Sequence, residues 1–440
     1  MIETFLTSYD PSDLPGFSVD PLGFEGNYLF LADKILPGLT NAASHPRYFA
    51  LICTGVLLCG DGTDTTPREA IQRRQETILR LERFWALANV LARPDGSGGI
   101  RGVTYAKSWA EEIKRQGQAR ATAKYPLLSR QRQYGAIGIY ANVADGMRFL
   151  NREDFTLTPA LGEVTGEALR DETELPGSLL RAILDDTDVP VATLEAWGER
   201  AHVEGKIKPA EAKCLSDALH SNPIRSCMAG LLKLYPYTNA KETELHRLDR
   251  ISGTLKRTRQ HADLREAIVC IIEFESCYQL AVLALERLLG LCRHHAAASV
   301  MLSELNDDSV LQLVRKRFPS QVRRLLEILD NGTEPAFRQE LERLSDVRRF
   351  LENASAAAGD IEAFISEVVT RHTDVQHGKF DRGRRKMPWL ERNGSRINLT
   401  MTRAGGMSRE VTLPQHIPPH AYRLNAADAL IFTSNKAAQS

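Results

Sequence analysis

Between residues 263 and 292 apolar side chains occur at every phase of a helix, among them Ile268, Ile271, Ile272, Phe274, Leu280, Val282, Leu283 and Leu288. A helix at a protein surface confines such residues to one stripe, so a helix apolar all round needs neighbours all round. The pattern predicts a central buried helix, and a chain organised around one is a multi-helix assembly. Glu273, Glu275, Glu286 and Arg287 interrupt the run. It therefore falls short of the roughly 20 unbroken apolar residues of a membrane span, and no membrane partner is expected.

With 43% hydrophobic and 25% charged residues, a chain of 440 has the composition of a globular protein with a substantial core. Lysine plus arginine balance aspartate plus glutamate at 56 each. A neutral total leaves nucleic-acid binding open, because the local distribution of charge decides it. Seven cysteines lie scattered at 53, 59, 214, 227, 270, 277 and 292. Their odd number and irregular spacing argue against a disulfide framework or a zinc ribbon. The opening MIETFLTSYDPSDLPG has no basic segment followed by an apolar one, so no signal peptide is expected and the expected location is cytoplasmic.

The fold class read from the chain is mainly α, a multi-helix globular protein with a small C-terminal β-hairpin. Helices are expected at 28–36, stopping at Pro37-Gly38, and at 48–58. A longer one at 67–92 opens on Pro67, a residue suited to a first turn, and carries an apolar stripe through Ile71, Ile78, Leu81, Trp85, Ala88 and Leu91. Residues 131–150 read as one more helix. From 156 to 234 the helical segments are short, broken at Gly162, Pro176, Pro190 and Pro209, and none concentrates basic residues on one face. Helices are further expected at 310–318, 322–330, 334–353 and 360–375. Residues 396–402 alternate apolar and polar and read as a strand. It is expected to pair with 409–414 across the glycines at 405 and 406. Four divisions follow: an N-terminal helical domain at 1–150, a middle module at 151–260, a helical bundle at 261–378, and a basic loop with a β-hairpin tail at 379–440.

Residues 371–392, RHTDVQHGKFDRGRRKMPWLER, break the charge balance with seven Lys/Arg against three Asp/Glu. Lys379, Arg382, Arg384, Arg385 and Lys386 have the character of a phosphate-contacting segment, since flexible cations on a backbone release its counterions. Trp389 beside Pro388 is then a candidate to stack on a base. A solvated loop with Trp389 tucked into the core fits the same residues. His372, Asp374 and His377 have metal-ligand chemistry. His372, however, continues the apolar phase of Ile361, Phe364, Ile365, Val368 and Val369, which reads as a core histidine satisfied by a hydrogen bond. No metal or other cofactor is expected. Leu36-Pro37-Gly38 and Leu175-Pro176-Gly177 look like the phosphate-gripping hairpin between two helices but lack its second glycine, and read as helix punctuation. The loop 95–102, DGSGGIRG, carries Arg101 and flexible backbone that can face a phosphate. It lacks the GxxxxGK[ST] pattern, and a plain linker is the competing reading.

Asp20-Pro21-Leu22-Gly23, Leu36-Pro37-Gly38-Leu39-Thr40 and Arg47-Tyr48-Phe49, with Gly99-Ile100-Arg101-Gly102 and the segment 134–140, resemble an uncharacterised bacterial family whose members often lie among phage-defence and restriction genes. The resemblance covers about the first 130 residues. The aromatic, proline-bearing stretch that usually follows the Arg-Tyr-Phe segment is lacking. The family has no assigned catalytic residues to carry over. The resemblance implies a setting, bacterial antiviral defence against foreign DNA, modified phage DNA included, with other defence proteins as further partners.

Three functions are weighed on these features. The first is a DNA-binding protein using the basic C-terminal segment and Arg101. The second is a DNA-processing hydrolase, a DNA glycosylase ahead of a nuclease, which needs a carboxylate beside a flipped base. Asp20 and Asp33 are its candidates, with capping or solvated aspartates as the alternative. The third is a helical scaffold for defence complexes, using the amphipathic helices of 310–375.

Overall fold

The computed structural model describes residues 20–60, 66–205, 207–256, 261–295, 297–331, 345–381, 384–400 and 411–438. Helices carry nearly all of the regular structure, with short strands among them. The chain divides into two compact units, each assembled from separate stretches: Met1–Ile35 with Tyr235–Tyr422, and Leu36–Leu234 with Arg423–Ser440.

In the first unit the Ala262–His294 helix is the centre. Leu264, Ile268, Ile271, Phe274, Leu283 and Leu288 are all buried, each such side chain contributing about 1.5–3 kcal/mol on leaving water. By length and composition this helix is apolar enough to cross a membrane, and 67% of its most apolar window is buried within the protein. Four helices pack on it: Glu25–Ile35, Glu244–Leu255, Ser309–Asn331 and Ile361–His377. Phe24 stands 5.4 Å from Phe274 and, edge-on, 5.4 Å from Tyr278. Glu275, wholly buried, accepts from Nδ1 of His420 at 2.7 Å and from the Tyr422 hydroxyl at 2.5 Å, so this core carboxylate has the partners burial demands.

Three expectations for this unit change in the structure. The segments 310–318 and 322–330 are one helix, Ser309–Asn331, running through Pro319. The helix expected at 334–353 runs past its expected end to Ala357; its described part starts at Ser345, and 334–344 lie outside the described residues. The hairpin forms elsewhere. Arg396–Leu399 pairs with Leu390–Asn393 on one edge and Ser299–Met301 on the other, with Ile397 opposite both Arg392 and Val300. Both edges are occupied, which leaves none for 409–414, and the turn expected at 404–407 lies outside the described residues. The hairpin turns instead at Gly394 (φ 58°), a left-handed position suited to a two-residue loop.

The second unit is built on the Pro67–Ala92 helix, with the bounds its sequence indicates. Thr66 accepts from the Glu69 backbone N–H and Glu69 accepts from that of Thr66, a complete capping box. Ile78, Leu81, Phe84, Trp85 and Ala88 form its buried face. Leu36-Pro37-Gly38 is a helix stop held in place by Arg225. The buried guanidinium donates to the carbonyls of Pro37, Gly146, Ala218 and Leu219 and to the Ser221 hydroxyl. Gly38 (φ 73°) lies against Gly146, where a Cβ would come within 3.1 Å of backbone. The expected helix at 131–150 is broken at Gly135 into Gln131–Tyr134 and Ala136–Gly146. The break frees the Ala136 N–H, which donates to Glu82 at 2.7 Å. A Cβ on Gly135 would stand 2.6 Å from the Glu82 carboxylate.

Candidate nucleic-acid interface

The basic segment leaves the Ile361–His377 helix in the first unit. Ile361, Phe364, Ile365, Val368, Val369 and His372 are its buried face, so the histidine does continue the apolar phase. Nδ1 of His372 lies 3.0 Å from the carbonyl oxygen of Pro21, and Nε2 accepts the Trp389 backbone N–H at 2.8 Å. A carbonyl only accepts, so the proton sits on Nδ1 and the ring is neutral. Burial, the largest cause, lowers its pKa to about 4. Both nitrogens are occupied, and no His/Cys/Asp/Glu cluster suited to a metal occurs among the described residues.

Trp389 is 7% exposed, with its ring centroid 5.1 Å from that of His372. Its backbone is held on both sides: the N–H by His372 and the carbonyl by the Thr400 N–H at 2.9 Å. A stacking platform must offer a ring face to a base, and this ring is turned into the core. The other reading of the segment, with the tryptophan as an anchor, describes its position.

Lys379 is also partly structural. Its ammonium donates to the Asp20 carbonyl oxygen, and burial, ahead of any neighbouring charge, lowers its pKa. Arg371 donates to the Leu22 carbonyl at 2.9 Å. Between Lys379 and Trp389 the chain folds back as a short antiparallel ribbon, Phe380–Asp381 against Arg384–Arg385, closed by the Lys386 N–H donating to the Lys379 carbonyl at 2.9 Å. Arg385 is exposed and Lys386 half-buried. Arg382 lies outside the described residues. The ribbon thus carries consecutive cations and is pinned at each end to the core.

Asp20 has an occupied carboxylate. It accepts from the backbone N–H groups of Gly23 and Glu25 at 2.8 Å each and of Leu22 at 3.3 Å, capping the start of the Glu25–Ile35 helix. Asp33 is exposed near the other end of that helix. One helix therefore holds the two candidate carboxylates at its opposite ends, and they do not form a pair.

Arg101 belongs to the second unit. Its backbone N–H donates to the Tyr48 hydroxyl at 2.7 Å and its Nε to the Tyr134 carbonyl at 2.5 Å. The glycine-rich loop around it packs on side chains: a Cβ on Gly99 would stand 2.7 Å from the His45 ring. Beside Arg101 lies a polar centre that the sequence reading passed over. Glu82, wholly buried, accepts from Gln131 at 2.7 Å and from Ala136, and burial raises its pKa to about 7 against the lowering effect of these bonds. Arg47 and Glu211 form a buried ion pair at 2.9 Å. The signal was present, since Glu82 stands four residues after Ile78 and three before Trp85, on the apolar stripe. Comparison with protein-family models, curated proteins and solved structures finds no match to this chain.

Proposed function

We propose that this protein binds DNA through the basic ribbon of residues 379–386, in the setting of bacterial defence against foreign DNA. The observation that carries the reading is the ribbon's construction. Arg384 and Arg385 follow each other on one strand, and the chain is fastened before them by Lys379 on Asp20 and after them by Trp389 on His372. Ordering long cationic side chains on a mobile loop costs conformational entropy. A pinned ribbon has lost its backbone part of that freedom before any ligand arrives. Consecutive arginines on such a ribbon suit phosphate contact, which gives affinity without base readout. The defence setting rests on the resemblance of the N-terminal third.

Electrophoretic binding to duplex and single-stranded DNA at several salt concentrations tests the proposal. Retardation that weakens steeply as salt rises is expected. Free DNA in every lane at low salt removes the reading.

A further inference from the structure

The Ser309–Asn331 helix of the first unit turns its apolar side inward, with Val314, Phe318 and Val322 buried and Phe318 5.3 Å from Phe364. Its outer side borders an open hollow of about 510 Å³, within the roughly 300–1,000 Å³ that ligand sites occupy. Ser309, Gln312, Leu313, Arg315 and Lys316 line it from this helix, and Ala358 from the turn before the Ile361–His377 helix. No carboxylate occurs among the described residues that line it. Asp308, the acid before Ser309, accepts from the Val310 and Leu311 N–H groups at 3.1 and 2.9 Å and pairs with Arg287 at 2.9 Å. Asp360, beyond Ala358, accepts from the Glu362 N–H at 2.9 Å.

The two cations differ in kind. Arg315 is fixed: Nη1 donates to the Gly359 carbonyl at 2.6 Å and, at 3.5 Å, to that of Ala358, and Nη2 donates to the Gln312 side-chain oxygen at 2.9 Å. A guanidinium carries five N–H groups, so donors remain for a ligand. Lys316 is exposed, and its ammonium and the Ser309 hydroxyl are bonded to no described residue. A fixed guanidinium, a free ammonium and a free hydroxyl around an acid-free hollow suit an anion with several acceptor oxygens, which is the character of a phosphate group. The lining offers no aromatic face for a nucleotide base. The positive surface continues along the helix instead. Arg323, exposed and likewise unbonded, lies two turns from Lys316 on the same face, about 10 Å along the axis. Glu327, a turn further on, forms no ion pair with it. A chain of phosphates fits this arrangement better than a single one.

Resting on the DNA-binding reading, we propose that the hollow seats a backbone phosphate of DNA, with Arg315 and Lys316 on its oxygens and the Ser309 hydroxyl donating to one of them. It is a phosphate contact separate from the ribbon of residues 379–386.

Fluorescence-anisotropy titration of a labelled duplex with the full chain, at several salt concentrations, tests the assignment. Lys316→Gln reduces the slope of log affinity against log salt by about one, the loss of a single phosphate contact, and Lys316→Arg retains it. Ser309→Ala lowers affinity by about tenfold, as for one hydrogen bond to a charged group, and leaves the slope alone. Both side chains are exposed, so thermal melting should match the natural chain. Unchanged affinity and slope in Lys316→Gln overturn the proposal, and the DNA reading survives if removing the ribbon charges still reduces the slope. A slope reduced by Lys316→Gln but not by the ribbon changes supports the hollow and removes the ribbon. No DNA binding by the natural chain overturns both. Calorimetry with inorganic phosphate separates the other source of the same chemistry. Phosphate bound at millimolar concentration by the natural chain and not by Lys316→Gln, with equal DNA slopes, assigns the hollow to free phosphate and overturns the DNA assignment.

Discussion

The Trp389 backbone N–H donates to Nε2 of His372 at 2.8 Å, while Nδ1 of the same ring donates to the Pro21 carbonyl at 3.0 Å. One neutral imidazole thereby ties the segment after the basic ribbon to the segment before the first helix. Protonation would place a hydrogen on Nε2, where the ring must accept, and would set it against the Trp389 N–H.

That geometry fixes the sign of a pH effect. The folded-state pKa of His372, about 4, lies below its ordinary value of 6.5. Its contribution is therefore fully present above pH 6.5 and is lost as the pH falls through 4, amounting to about 3 kcal/mol across that interval. Urea unfolding at pH 7 and pH 4 should show this loss in the natural chain. His372→Gln should be less stable at pH 7 and should lose much less on acidification. An equal acid loss in both proteins would remove His372 as the cause.

Trp389→Ala should act on stability. A buried tryptophan cut to alanine costs about 3–5 kcal/mol, and the ring is 7% exposed. Denaturation should show that loss. DNA affinity, corrected for the fraction folded, should keep the salt dependence of the natural protein. A stable variant with a salt-independent affinity loss of about 1–3 kcal/mol would instead mark a stacking residue.

The legible parts of this fold are those whose signal is local. Ala262–His294 stands out because no helical phase is free of apolar residues, and Pro67–Ala92 because Thr66, Pro67 and Glu69 mark its start. His372 was legible from its phase with Phe364, Ile365, Val368 and Val369. Trp389 was undecidable, since it follows Pro388 in a connection with no periodicity to say which way it faces. The partners of Arg396–Leu399 were not legible, because strand register is set by what packs above the sheet and one strand comes from residues 299–301. The break at Gly135 answers to Glu82, a residue distant in sequence. Apolar periodicity alone carries the helix straight through it.

Glu82 gives a pH effect of opposite sign. Burial raises its folded-state pKa to about 7 from an ordinary 4.5. Its favourable contribution is present below pH 4.5 and is lost as the pH rises through 7, about 3 kcal/mol in all. Glu82→Gln leaves an uncharged group of the same shape. Chemical denaturation at pH 5 and pH 8 should show a smaller decline with pH in the variant than in the natural chain. Identical declines would mean that the buried carboxylate is not the source.

The salt dependence of DNA binding tests the central claim most directly, comparing the natural chain with a variant in which Arg382, Arg384, Arg385 and Lys386 are all changed to glutamate. The slope of log affinity against log salt should fall by about one for each phosphate that the variant no longer neutralises. The affinity difference should be largest at low salt and shrink as salt rises, with thermal stability of the two proteins alike. Unchanged affinity and an unchanged slope in the quadruple variant would contradict the account and leave residues 379–386 as a solvated connection.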